Sequence, residues 1–328
     1  MPSDGLKESP TPLELGGGGG NRAGETNHQC IGAEGVRRLN RYGKAKAATR
    51  ALIQECGTVP LKRIGVRVEA VTRCADWLVL RHYPTLKETK LKSANFCCVH
   101  LVCGFCAIRR GSRMMARYLE RFQGIRRDQP ALQPYLVTFT VRNGPDLLER
   151  LLHLERSLTR LHKRRHGKRS RSLLLGIAGA VWSYEVTYSQ EHGWHPHVHA
   201  VWLAKEQPDM HELRSEWHGI TGDSFMVDVR PIEADAELPP EVDPHAKGFA
   251  EVFKYAMKAA ELPAARLLEA YPVLRGRRLV GSFGAFYGVR EPSPGELADE
   301  LPGSDDLPYF DLLFRYHQGG RYVPSHQV

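Results

Sequence analysis

Residues 194–202 read Trp-His-Pro-His-Val-His-Ala-Val-Trp, and the three histidines at alternate positions of this otherwise strand-like run limit what the chain can fold into. Alternate residues of an extended chain project from one face, so His197 and His199 can direct two imidazoles at one point while Val198 and Ala200 face a core. That is a two-toothed metal clamp. His195 has the same parity, but Pro196 cannot donate to a ladder, which puts His195 at a strand start or edge and at the mouth of any site. A polar strand with a chance histidine cluster would have the same sequence, so the neighbouring segments must decide.

The segment just before it, about 178–188, alternates as a second strand in which Val181, Ser183, Glu185 and Thr187 share one face. The connection at 189–193 is short enough for a hairpin, so the two strands should lie antiparallel. Glu185 then stands within reach of His197 and His199. Two imidazoles and one carboxylate on adjacent strands can hold a divalent cation and leave positions open for water or a phosphate oxygen.

Four of the seven cysteines fall between Cys97 and Cys106, too few in this chain for a disulfide framework but crowded enough to suggest metal in a reducing compartment. Cys103 and Cys106 have the spacing with which a loop grips one tetrahedral ion, and Gly104 eases the turn. Cys98 is the nearest third ligand and Cys74 the natural fourth, giving a structural zinc set of Cys74, Cys98, Cys103 and Cys106; Cys97 and His100 are the substitutes. Buried thiols without metal and a redox pair are the other readings, and the redox pair expects a βαβ context that is not evident.

A net charge of +9 and a pI near 9.2 favour a polyanionic partner, nucleic acid before membrane surface. No apolar run approaches the roughly 18 residues of a spanning helix. The first residues lack the signature of a signal peptide, so a cytoplasmic location is expected. The densest positive patch is 162–171, with Lys163, Arg164, Arg165, Lys168, Arg169 and Arg171, which either contacts phosphate backbone or forms a solvated helix end. It closes an amphipathic helix capped by Asp146, with apolar positions Leu147, Leu148, Leu151, Leu154, Leu158 and Leu161. Before that helix, residues 134–141 read as a strand with Thr138 and Thr140 on one face.

Residues 244–260 are helical in their second half, where Glu251, Tyr255 and Lys258 crowd one face at i, i+4 and i, i+3 spacing. A surface helix with ordinary salt-bridge spacing gives the same pattern. The remaining organisation is an arm over 1–37 without apolar periodicity, a helical and Cys-rich region over 38–130 whose helix from Arg109 onward could turn its arginines to phosphate, and an acidic, irregular tail over 291–328. No phosphate-cradling Gly-rich loop and no nucleophile elbow occurs, which removes support for ATPase and α/β-hydrolase readings.

In combination, the strand 136–141, the block His195–His199 and the helix with Glu251, Tyr255 and Lys258, in that order, resemble the rolling-circle replication initiators of plasmids within the HUH endonuclease superfamily. The resemblance spans about 74–289, including the cysteine cluster, although the family often has Cys-Pro-x-Cys where this chain has Cys103-Gly104-Phe105-Cys106. It implies an α+β fold: an antiparallel sheet of about five strands with packed helices and a ferredoxin-like or RRM-like core, preceded by a small zinc-binding-like segment. It implies that His197, His199 and Glu185 bind Mg²⁺ or Mn²⁺, with His195 beside them. Tyr255 would nick one strand of origin DNA to leave a 5′-phosphotyrosine and a 3′-hydroxyl, Glu251 would activate water for termination, and Lys258 would orient Tyr255 or neutralise phosphate. Host helicase and DNA polymerase are the implied partners. A relaxase or single-strand transposase of the same superfamily, and a zinc-containing DNA-binding regulator without catalysis, are the rival readings.

Overall fold

A computed structural model describes residues 31–166, 172–238, 243–254, 261–299, 307–317 and 319–325. The chain opens with helix α1 (Gly32–Cys56), short helices α2 (Thr58–Arg63) and α3 (Val68–Arg73), and a hairpin of β1 (Trp77–Tyr83) and β2 (Glu88–Ala94). Helix α4 (Gly104–Asp128) leads to β3 (Gln133–Thr140) and α5 (Leu147–Lys163), then β4 (Ile177–Ser189), β5 (Gly193–Ala204), α6 (Met210–Thr221) and β6 (Val227–Pro231). Helices α7 (Ala246–Lys254) and α8 (Ala264–Leu274), strand β7 (Val280–Gly284), and a last pair, β8 (Phe310–His317) and β9 (Arg321–Pro324), complete the order.

The strands form two antiparallel sheets among the described residues. One has the order β6-β3-β5-β4-β7 and is the expected five-stranded sheet, with the histidine strand at its centre. A central strand must satisfy helices on both faces. On one face of β5, Val198, Ala200 and Trp202 pack with Val137 and Phe139 of β3 under Leu154, Leu158 and Leu161 of α5 and Leu213 and Trp217 of α6. On the other, Val201 and Leu203 pack under Met114, Tyr118 and Phe122 of α4 and Phe249, Val252 and Phe253 of α7. Each such side chain, fully buried, contributes about 1.5–3 kcal/mol, so this alternation alone fixes which face the histidines occupy.

The capping of α5 follows the sequence: the Asp146 carboxylate accepts from the Glu149 N–H at 2.8 Å. Its buried stripe is Leu147, Leu151, Leu154, Leu158 and Leu161, whereas Leu148, one residue out of phase with that spacing, is exposed. Gly193 makes the β4–β5 turn possible at φ +78°, and a Cβ there would come 2.5 Å from the Gly144 carbonyl oxygen. The close approach lets Gly144 and Trp194 exchange backbone hydrogen bonds of 3.1 and 2.7 Å, holding the start of β5 against the β3–α5 loop.

The second sheet, β2-β1-β8-β9, departs from expectation. The tail from 291, read as irregular, contributes β8 and β9, and its Phe314 is fully buried opposite Leu78 of β1. Residues 32–37, assigned to an arm, form the first turns of α1, while 1–30 lie outside the described residues. Helix α4 starts at the Cys103–Cys106 pair rather than at Arg109, and its first turn, Phe105 to Ile108, is buried at every position. Three α4 arginines are engaged by protein groups: Arg110 pairs with Glu291 at 2.5 Å, Arg117 pairs with Glu296, and Arg121 donates to the Ala285 carbonyl at 2.9 Å.

Arg109, only 3% exposed, is the centre of a buried junction. It donates to the Leu297 carbonyl at 2.8 Å, to the Tyr42 hydroxyl at 3.0 Å and to Asp299 at 2.5 Å. Asp299 also accepts from Arg38 at 2.7 Å and from the Leu91 N–H at 2.8 Å, so one carboxylate ties α1, β2 and α4 to the C-terminal segment. Burial alone would push its carboxyl up, but Arg109, the Leu91 N–H and Arg38 together hold it below the usual carboxylate range. Removing one member leaves a buried charge uncompensated. Asp299→Ala is therefore expected to cost about 3–5 kcal/mol in urea unfolding at neutral pH. The same contribution is present above the unfolded carboxyl value near 4 and is lost as pH falls through the depressed folded value, so wild type and variant should converge in strong acid.

Candidate metal centres and nucleic-acid face

The β4–β5 register sets Glu185 opposite His197 and Ser183 opposite His199, as the short hairpin requires. Glu185 Oε2 lies 2.8 Å from His197 Nε2 and 3.2 Å from His199 Nε2. Two cis ligands each about 2.1 Å from one cation are separated by about 3.0 Å, so the three donors form one edge-sharing cluster of the right size for a divalent ion. Glu185 is 2% exposed and His197 9%, so the charge sits in a place where water screens it poorly.

Each imidazole is held from behind. His197 Nδ1 donates to the His195 carbonyl at 3.2 Å, and His199 Nδ1 faces the Thr138 hydroxyl of β3 at 3.1 Å, which turns both Nε2 lone pairs toward Glu185. Such outer partners fix tautomer and ring orientation in metal sites. Strand alternation puts Thr138 and Thr140 on one face of β3, and the β3–β5 register is what sets Thr138 opposite His199. His195 is not in the cluster: its ring stacks on that of His197 with centroids 5.0 Å apart, and its Nδ1 faces the side-chain oxygen of Asn143. Burial, then the neighbouring His197, lowers its pKa, with Glu185 opposing. It is an entry-side neighbour, as the proline beside it implied.

Helix α7 reaches this face. The Ser183 hydroxyl donates to the Val252 carbonyl at 2.5 Å, pinning the helix two residues along β4 from Glu185. Glu251, half-buried, is the residue before Val252. Tyr255 and Lys258 lie outside the described residues.

The second cluster is made of thiols. Cys74, Cys97, Cys103 and Cys106 are all buried and bring their Sγ atoms within 4.8 Å of one another. Cys106 Sγ lies 3.5 Å from that of Cys74 and 3.7 Å from that of Cys97. A tetrahedral ion with bonds of about 2.3 Å to sulfur spaces its ligands by about 3.8 Å. The third ligand position is thus occupied by Cys97, and Cys98 is corrected out of the set. The cause is backbone conformation: Cys98 has φ +58°, a left-handed turn that sends consecutive side chains apart, Cys97 inward and Cys98 to the half-buried rim. Thiol hydrogen bonds from Cys106, Cys74 and Cys97 draw Cys103 well below the usual thiol range, and donation to Cys103 pushes Cys74 and Cys106 up. A cation coordinated by the four sulfurs would favour their thiolate form. His100 stands apart as a half-buried imidazole, its pKa lowered to about 4 by desolvation and Arg110.

Among the described residues, the basic patch at 162–166 does not converge on the triad. Arg164 pairs with Glu216 of α6 at 3.1 Å and the Arg165 guanidinium stacks 4.6 Å over Phe283, beside the His162–Trp182 ring pair. Trp182 belongs to the sheet face opposite Ser183 and Glu185, so these arginines and the exposed Lys163 lie behind the sheet. Lys168, Arg169 and Arg171 fall outside the described residues. Among the described residues, no helix is long and apolar enough to cross a membrane.

The family model of replication proteins named Rep_1 matches residues 88–307, about two thirds of the chain, and so covers the Cys97–Cys106 segment, both central strands and α7. No curated protein and no solved structure matches. The ligand assignment in the thiol cluster is checked by elemental analysis of the purified chain: Cys97→Ser is expected to lose the cluster's bound metal and to lower the melting temperature, while Cys98→Ser keeps both. The reverse pattern would restore Cys98 as the ligand.

Proposed function

The chain belongs to the Rep_1 family of replication proteins, which supports a role in initiating plasmid replication, and from that premise we propose that it is a metal-dependent DNA nickase and strand transferase of the HUH class. The observation that supports this most is the Glu185, His197 and His199 cluster, three convergent donors on one sheet face under the helix that continues covalently into Tyr255. Val252 is pinned to Ser183, and three peptide units separate it from Tyr255, a span of at most about 11 Å between Cα atoms. That short tether supports Tyr255 as the nucleophile for a phosphate held at the cluster.

Mg²⁺ or Mn²⁺ suits two imidazoles and a carboxylate with open positions, and when bound it would polarise the scissile phosphate and screen its charge. The closed, all-thiolate set of Cys74, Cys97, Cys103 and Cys106 suits structural Zn²⁺ instead. In the reaction, the Tyr255 oxygen attacks phosphorus as its proton is lost. The P–O3′ bond breaks, and the leaving 3′-oxygen takes a proton to become a hydroxyl. A phenol with a pKa near 10 is a poor nucleophile at neutral pH, so a neighbouring cation such as Lys258 helps by favouring the phenolate. The 5′-phosphotyrosine keeps the energy of the cut bond, and the 3′-hydroxyl is a primer for a host polymerase behind a host helicase. At termination Glu251 takes a proton from water, which attacks the phosphorus at the regenerated origin. The P–O3′ bond there breaks, its 3′-oxygen takes a proton, and that 3′-hydroxyl displaces the Tyr255 oxygen from the 5′-phosphotyrosine, so a second tyrosine is not needed.

The test is cleavage of single-stranded plasmid-origin DNA with Mn²⁺, read on a denaturing gel as a protein–DNA adduct. Wild type is expected to form it, Tyr255→Phe to abolish it, and Glu185→Ala to reduce it by two orders of magnitude or more. If wild type and Tyr255→Phe behave alike, the reading fails in favour of a DNA-binding regulator without catalysis. In the same assay Glu251→Ala should keep the first nick and slow release by about 10²–10⁴-fold, the usual contribution of a positioned base; normal release would remove Glu251 from termination.

A further inference from the structure

A cavity of about 530 Å³ opens beside the triad, within the roughly 300–1,000 Å³ range of small-ligand sites. Its walls come from three places: the end of β3 with Thr140, Arg142 and Asn143, the β4–β5 hairpin with His195, and the α6–β6 loop with Phe225 and Met226. His195 is shared between this cavity and the metal cluster, since its ring stacks on His197. The cavity therefore continues the candidate site toward β3, on the side away from the Val252 anchor in β4.

Phe225 and Met226 are 60% and 58% exposed, neighbours in sequence and both large and apolar. The loop presents them without being loose. The Met226 carbonyl accepts from the Thr140 N–H at 3.2 Å and from its hydroxyl at 3.3 Å, and the Arg142 N–H donates to the Ser224 hydroxyl at 2.7 Å. The one carboxylate in the wall, Asp223, is tied back by Arg150 at 2.7 Å and faces His153 at 3.3 Å, so it does not project a free negative charge. The exposed Arg142 side chain stands at the same rim, and the side-chain amide of Asn143, its oxygen at His195, lines the wall beside it.

An aromatic platform, a thioether, an amide and a guanidinium around one cavity match the parts of a single-stranded nucleotide, whose base is unstacked and offers both a π-face and an edge. Resting on the nickase reading, we propose that this cavity receives one base of the DNA strand adjacent to the phosphate at the triad, stacked on Phe225 beside Met226, with Arg142 at the neighbouring backbone phosphate. Binding the flanking base sets where along the strand the phosphate lies over Glu185, His197 and His199. The pocket is thus a positioning device for the site of cleavage.

The experiment separates base from backbone and binding from cleavage. A fluorescein-labelled 20-mer of deoxythymidine and a 20-mer of the same length in abasic sugar-phosphate are titrated with the full chain in EDTA at fixed salt, and anisotropy is read. Wild type should prefer the base-bearing strand. A stacked base accounts for roughly 5- to 150-fold in affinity, so Phe225→Ala should weaken the thymidine strand at least fivefold and leave the abasic strand unchanged, while Phe225→Trp restores binding. Arg142→Ala should weaken both strands alike and flatten the salt dependence. Val59→Ala, an equally exposed apolar residue on α2, should alter neither. Equal binding of both strands by wild type, no loss in Phe225→Ala, or an equal loss on both strands overturns the proposal. Because no metal and no cleavage enter, a Phe225 effect without any Tyr255 adduct would sink the nickase reading and leave the base pocket standing. An adduct without a Phe225 effect would do the opposite.

Discussion

The pairing of β4 with β5 is the constraint on which the site rests. Glu185 meets His197 because the hairpin register sets them opposite each other, and a shift of one residue would turn every side chain of one strand to the other face. What prevents the slip is packing behind the sheet: Val198, Ala200 and Trp202 alternate with the histidines and fill the core under α5 and α6. The ligands are thus aligned by apolar side chains that never touch them. The cost is a polar island in a buried face, and it is contained by Thr138 and the His195 carbonyl, which satisfy the ring nitrogens that the cluster does not use.

Around that sheet, the cysteine cluster acts at a distance. Cys103 and Cys106 form the start of α4, and Cys74 and Cys97 flank the β1–β2 hairpin, so closing the cluster sets where α4 begins. Further along α4, Tyr118 stacks on Phe253 of α7 at 5.2 Å and Phe122 packs on Phe249 at 5.0 Å. Helix α7 is the element pinned to Ser183 beside the triad. Thiol cluster, α4, α7 and triad are therefore joined by continuous packing, and the Arg109–Asp299 junction locks the same end of α4 to the C-terminal segment.

Much of the site was legible in the chain, and what was not has a physical reason. His197, His199 and Glu185 follow from period-2 alternation and a short turn, both local, and the structure gathers those three. Cys97 in place of Cys98 hinges on one left-handed residue, which no periodicity announces at a non-glycine position. The second sheet was missed because its pairing is remote: Leu78 faces Phe314, more than two hundred residues away, and β2, Glu-Thr-Lys-Leu-Lys-Ser-Ala, offers only Leu91 as a fully buried apolar residue. The basic run at 162–166 is a feature of composition. Its density says nothing about which side of the sheet α5 ends on, and that side proves to be the one behind the triad.

The two donor clusters differ in the way their proposed tasks require. Four buried sulfurs on a junction of secondary structure form a closed tetrahedral set, the kind that suits an ion in a structural role. Two imidazoles and one carboxylate on a single sheet face occupy only part of a coordination sphere, and the rest is open to a substrate oxygen. That opening lies between the α7 anchor over β4 and the Phe225 cavity beyond β3. A strand laid across β5 with a base in the cavity would present its next phosphate to the triad, and the following step of the chain would run beneath the helix that leads to Tyr255. On the nickase proposal, the order of elements across the sheet would then set which bond is cut.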